Sequence, residues 1–163
     1  MKTRILILLF MTTLSASAQK GIAKTVKKTF NRTTTISQYI DTEPAIIWSL
    51  LTNGSDFPRW NSTIISIEGN ISKGEKIKLK STLDENRTFK LKVKEFEPNR
   101  IMIWGDTMGK RTYSLKKEGN RTLFTMTEKI GGLMFPLFAN KIPPFDNSFE
   151  QFTMDLKKEA ESK

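Results

Sequence analysis

Arg111 and Glu128 are the residues of this chain whose types and spacing are best placed to do chemistry. They bound the stretch RTYSLKKEGNRTLFTMTE, in which Gly119-Asn120 reads as the two-residue turn of a β-hairpin. Counting outward from that turn sets Leu115 opposite Phe124, Tyr113 opposite Met126 and Arg111 opposite Glu128. Side chains alternate along a strand, so these six share one face, while Thr112, Ser114, Thr125 and Thr127 take the other. The shared face is apolar until its end, where a guanidinium meets a carboxylate across the strands, close enough for an ion pair. One reading is a polar anchor inside an apolar pocket, holding the carboxylate, hydroxyl or carbonyl end of a ligand. The other is a salt bridge on a solvated rim, worth about 0–1 kcal/mol.

The remaining chemistry is narrow. The chain has no histidine and no cysteine. A Ser-His-Asp or Cys-His nucleophile is therefore excluded, as is any imidazole or thiolate metal ligand. The acids lack the Asp/Asn loop spacing of a calcium site, and Gly131-Gly132 is not a phosphate-cradling loop. No metal, cofactor or catalytic residue is expected. Proton transfer is left to Glu128, Asp106, Tyr113 or a lysine, and a carboxyl group in an apolar cavity can have its pKa raised.

The elements that must position the pair are mostly strands. Alternation predicts strands over residues 30–40, 63–71, 76–83, 87–96, 101–106, 111–117 and 121–130, separated by short Gly, Asn, Asp or Pro turns that favour antiparallel pairing. Between the first two lies IDTEPAIIWSLLTNGSDFPRWN. Thr42 can N-cap a helix there, with Glu43 in its first turn and Pro44 where a missing N–H is tolerated. Gly54 ends that helix, and the following Phe-Pro-Arg-Trp reads as a second, shorter one. At the end of the chain Phe149, Phe152, Leu156 and Ala160 fall on one helical face. Residues 131–144, rich in Met, Phe and Pro, read as a loop or irregular helix able to act as an entrance lid.

A second hairpin carries a charge pattern. With Asp84-Glu85-Asn86 as its loop, Ile77, Leu79 and Ser81 face Val93, Leu91 and Phe89 on an apolar side. The reverse side then stacks Lys76 with Lys94, Lys78 with Lys92 and Lys80 with Lys90. Like charges opposite each other repel. Such a face is either a solvated surface protected against edge-to-edge pairing or a weak attractor for anionic membrane surfaces.

The order and spacing of Ile40, Pro44, Ile47, Trp48, Leu51, Thr52, Phe57, Pro58, Trp60 and Asn61 resemble the opening of the SRPBCC superfamily (START domains, polyketide cyclases, birch-pollen-allergen-like proteins). RTYSL, TLFTMTE and GGLMFPL resemble a later motif of its polyketide cyclase/dehydrase-like branch. The resemblance spans residues 29–158. It implies an α+β helix-grip fold: a curved antiparallel sheet of about seven strands wrapped around a long C-terminal helix, with two short helices after the first strand. It also implies a cavity between sheet and helix, in which Trp60, Trp104, Arg111, Tyr113, Met126, Glu128, Met134 and Phe149 are the expected ligand-binding residues. Arg111 stands where many relatives carry His, a departure from any His-dependent chemistry of theirs. The function implied is a carrier of a small hydrophobic or amphipathic molecule. Alternatives are a cyclase/aromatase-like enzyme using the same cavity, and a protein-interaction module similar to the activators of heat-shock ATPases.

Residues 1–18 have the composition of a secretory signal peptide: Lys2 and Arg4, an apolar stretch over 5–14, and Ala16-Ser17-Ala18 as a small-residue cleavage site. The apolar stretch is too short to span a bilayer, which needs about 20 residues. Residues 19–28 read as a basic leader and 29–163 as the domain. Export to the periplasm or medium of a bacterium is the expectation. The formal charge of +10 loses only the contributions of Lys2 and Arg4 on processing. Basic residues interleaved with exposed aromatics, the pattern of single-strand nucleic-acid binders, are not evident, so no nucleic-acid partner is expected.

Overall fold

The computed structural model describes residues 20–163; the signal-peptide reading of 1–18 lies outside the described residues. The strands are β1 (Lys24–Lys28), β2 (Asn31–Ile40), β3 (Ile64–Glu68), β4 (Lys76–Ser81), β5 (Asp84–Glu97), β6 (Ile101–Gly105), β7 (Gly109–Glu118) and β8 (Arg121–Gly131). The helices are α1 (Pro44–Thr52), α2 (Phe57–Trp60), α3 (Phe135–Phe138) and α4 (Asp146–Glu161). The strands form one antiparallel sheet in the order β1-β2-β8-β7-β6-β5-β4-β3. Register shifts interrupt the β3–β4, β4–β5 and β5–β6 ladders. Such bulges bend strands, and here they let the sheet curve around α4.

The sheet has eight strands rather than about seven, because residues 24–28 pair with β2. The stretch read as a leader therefore supplies an edge strand, and the domain begins before residue 29. Its sequence KTVKK is exposed at four of five positions. A lysine-rich edge that buries no apolar stripe leaves no periodicity to read, and it also discourages pairing with another chain.

The core lies between the inner sheet face and α4. Phe149, Phe152, Leu156 and Ala160 are buried along the helix, as its period predicts. Opposite them are Ile36, Ile40, Met102, Trp104, Tyr113, Phe124 and Met126. Trp48 packs edge-on against Phe96 at 5.0 Å. The α1 cap differs from expectation: Glu43, not Thr42, is the N-cap, and it makes no side-chain capping bond. Thr42 instead offers its carbonyl to the Thr122 hydroxyl at 2.7 Å, and Glu43 pairs with Lys117.

Asn61 joins the short helices to the long one. Its side-chain amide donates to the Phe152 carbonyl at 3.2 Å, and its oxygen accepts from Thr63 N at 3.1 Å and Thr63 Oγ1 at 2.7 Å. It is 1% exposed. Asn61→Ala would leave the Thr63 amide and hydroxyl without that acceptor, and a loss of about 1–3 kcal/mol in urea unfolding is the expected outcome.

Candidate ligand cavity

A cavity of about 330 Å³ lies between the sheet and α4, within the size range of small-molecule sites. Phe145, Ser148, Phe149 and Phe152 form its helical wall, at the i, i+3, i+4, i+7 spacing of one helix face. Leu79, Phe89, Leu91, Trp104 and Met126 form its sheet wall. Among the lining residues Asp84, Arg87, Met108, Lys141 and Pro143 are exposed and mark its mouth, between the β4–β5 turn, the β6–β7 turn and the segment after α3.

Arg111 and Glu128 sit in this wall, opposite each other in the β7–β8 register. Arg111 Nε donates to Glu128 Oε2 at 2.5 Å, with the two side chains 15% and 14% exposed. The guanidinium carbon lies 5.2 Å from the centre of the Phe149 ring, an arrangement in which the ring face attracts the cation. Burial works against the charge on Arg111, but Glu128 and Tyr113 more than offset it, so its pKa is raised. The pair is therefore a mostly buried part of the cavity wall, not a solvated rim bridge.

Tyr113, two residues along the same face of β7, is 1% exposed and packs between Trp104, edge-on at 5.0 Å, and Phe124, tilted at 6.2 Å. Burial pushes its hydroxyl up to about 12, against the pull of Arg111. The hydroxyl has no well-formed hydrogen bond among the described residues. At the mouth, Arg32 is 7% exposed and donates to the carbonyls of Ile142 at 3.1 Å and Pro143 at 2.7 Å. It thereby ties the segment after α3 to the sheet.

No protein-family model matches the sequence, and neither does any curated protein. Solved structures do share its backbone arrangement. CalU16 from Micromonospora echinospora superposes with a TM-score of 0.61 at 18% identity, over 89% of this chain and 76% of that one. A START superfamily protein from Mycobacterium smegmatis gives 0.59 at 15% identity, over 80% and 97% of the two chains. The fold is the α+β helix grip that these structures share. The Aha1 dimer from Colwellia psychrerythraea shares it as well, with a TM-score of 0.59 at 19% identity over 78% of this chain and 94% of that one.

Within this helix-grip frame, Trp104, Arg111, Met126, Glu128 and Phe149 line the cavity, while Trp60, Tyr113 and Met134 do not. Trp60 turns toward Phe57 and Phe152, with ring centroids 4.8 and 5.9 Å away, and closes the core beneath α2. Met134 is 64% exposed, outside the mouth. Tyr113 stands beside Arg111 and Glu128 but is not itself part of the lining. The expected lid contributes Phe138, Lys141, Ile142 and Pro143 rather than Met134 and Phe135. Ser148 was missed because a polar residue interrupts the apolar stripe of α4, although the helical period places it there. Leu83 in the β4–β5 turn and Asp84 and Arg87 at the start of β5 were missed because they were read as the end of one strand, a loop and the start of another.

Proposed function

We propose that the chain is an exported binding or carrier protein for a small amphipathic molecule that carries an acceptor oxygen at one end. The observation that supports this reading is a largely apolar cavity whose wall carries an ion pair, Arg111–Glu128, with both side chains mostly buried. Nε of Arg111 is engaged by Glu128, Tyr113 interacts with the same guanidinium, and a remaining terminal N–H would meet the carboxylate, hydroxyl or carbonyl. The apolar body of such a molecule would lie along Phe149, Phe152, Met126 and Leu79, where its burial supplies most of the affinity. Export rests on the composition of residues 1–18.

Two measurements test the proposal. Native mass spectrometry of the purified protein is expected to show a co-purifying small molecule lost on denaturation. Anilinonaphthalene sulfonate, an aromatic body with an anionic end, is expected to bind the purified protein with a fluorescence rise. Ser148→Trp fills the cavity from the helix side and is expected to weaken that binding by at least about tenfold, or 1.4 kcal/mol. Undiminished probe binding in a folded Ser148→Trp variant would overturn the cavity reading.

A further inference from the structure

We infer that the end of the molecule beside the cavity mouth is a docking face for an anionic lipid bilayer. Three connections meet there. Gly131 N donates to the Met108 carbonyl at 2.9 Å, and Gly132 N donates to the Phe30 carbonyl at 2.9 Å. These bonds bring the β1–β2 turn, the β6–β7 turn and the segment leading into α3 together as one tip. The tip exposes a run of large apolar side chains: Phe30 at 51%, Met108 at 40%, Leu133 at 86%, Met134 at 64% and Leu137 at 72%. Single exposed apolar residues are ordinary, but a contiguous group of them marks an interaction surface.

Charge identifies the occupant. Lys110 and Lys129 are cross-strand neighbours on the outer face just behind the tip, and Lys28 lies in the row nearest the β1–β2 turn. Lys141 stands at the mouth itself. All four are exposed and have no ion-pair partner among the described residues. The nearby acids are engaged elsewhere. Asp106 accepts from the amides of Met108 at 2.7 Å and Gly109 at 2.9 Å, Glu128 holds Arg111, and Asp146 accepts from the Thr25 hydroxyl at 3.0 Å. An apolar tip collared by free lysines is matched by a bilayer with anionic headgroups: the side chains enter the acyl boundary while the ammonium groups stay among the phosphates. A second copy of the chain would bring the same lysines against these and is disfavoured. Met108 and Lys141 belong to both the tip and the cavity mouth, so a docked molecule would present its mouth to the membrane. The docking face stands on its own residues, and only its purpose, loading or unloading of the cavity, rests on the proposed function.

The test uses the chain beginning at Gln19, which contains every strand and helix of the described residues and lacks the apolar stretch over 5–14 that would itself enter lipid. Sedimentation with phosphatidylglycerol/phosphatidylcholine vesicles is expected to carry the protein down, and phosphatidylcholine vesicles alone are expected to leave it in solution. Leu133→Asp/Leu137→Asp, which alters no residue lining the cavity, should weaken vesicle binding by at least about tenfold, equivalent to 1.4 kcal/mol, with anilinonaphthalene sulfonate binding unchanged. Lys78→Glu/Lys90→Glu, on the lysine face of β4 and β5, should bind vesicles as the native chain does. The inference is overturned if anionic vesicles do not carry the native chain down, if the leucine variant still binds them fully, or if the lysine variant alone loses binding. It is also overturned if sedimentation velocity shows a dimer that the leucine variant abolishes. Failure of probe binding with vesicle binding intact would sink the cavity reading and leave the docking face standing.

Discussion

Arg111→Met is expected to destabilise the protein by about 3–5 kcal/mol, because it leaves the Glu128 carboxylate in a buried wall without its partner. Glu128 and Arg111 are 14% and 15% exposed, so most of the lost interaction is not replaced by bulk solvent, although the cavity gives water some access to the carboxylate. The double variant Arg111→Met/Glu128→Gln removes the stranded charge along with the cation. It is expected to recover most of the loss, since a buried pair replaced by uncharged groups of similar volume is often near neutral in stability. Ligand binding should behave differently. If the guanidinium holds the acceptor end of the ligand, both variants lose affinity for an anionic probe, and the double variant does so while stably folded. Urea unfolding of the single and double variants, with anilinonaphthalene sulfonate titrations on each, separates the two roles. A double variant that is stable and binds the probe as tightly as the native chain would reduce Arg111–Glu128 to a structural pair.

That pair was legible in the sequence for a physical reason. The Gly119-Asn120 turn leaves only two residues between the strands, Gly119 takes φ of 62°, and the flanking residues alternate strictly. Turn and burial pattern therefore demand one register, and the structure has it from Glu118–Arg121 to Arg111–Glu128. The β4–β5 hairpin shows the opposite case. Asp84-Glu85-Asn86 has loop composition, yet the chain turns at Thr82-Leu83 and Asp84 already pairs with Ser81. Ile77 consequently faces Leu91, not Val93, and Leu79 faces Phe89, not Leu91. Lysines still oppose lysines, now as Lys76–Lys92 and Lys78–Lys90, with Lys80 outside such a pair. The slip is by two residues, which preserves the face of every side chain. The apolar wall over β4 and β5 was thus readable even though its register was not. Lys78 finds Glu68 on β3 at 3.2 Å, and Lys94 donates to the Asp106 carbonyl at 2.8 Å, so the outer lysine face is partly compensated by its neighbours.

The direction of the short elements was not legible at all. FPRW announces a helical turn with two aromatics, but whether either of them meets the cavity depends on how that turn docks on α4, and neither does. Asn61 and Arg59 set the docking together: Arg59 bonds Asp56 at 2.7 Å within its own turn and Glu159, 100 residues farther along the chain, at 2.8 Å. With α2 held in this way, Trp60 packs into the core and Phe152 reaches the cavity.

Phe152→Ala is accordingly expected to be the most damaging single truncation in the core, at about 3–5 kcal/mol. The ring is 2% exposed. It lies 5.9 Å from Trp60, 6.0 Å from Tyr113, 6.2 Å from Phe57 and 6.5 Å from Phe124, centroid to centroid. Those partners come from α2, β7 and β8, so one side chain of α4 ties both ends of the helix-grip core together. Its backbone carbonyl also accepts the Asn61 amide, which holds the neighbouring turn in place and limits how far the surroundings can collapse into the vacated space. A site that cannot collapse loses the packing contacts outright. Because Phe152 also lines the cavity, the truncation enlarges the space open to a ligand. Thermal unfolding should therefore show a large drop in midpoint for the variant alone, partly reversed when a bulkier hydrophobic probe is added. A drop within that of an ordinary surface substitution, about 0.5 kcal/mol, would show that the aromatic cluster is not what joins α4 to the sheet.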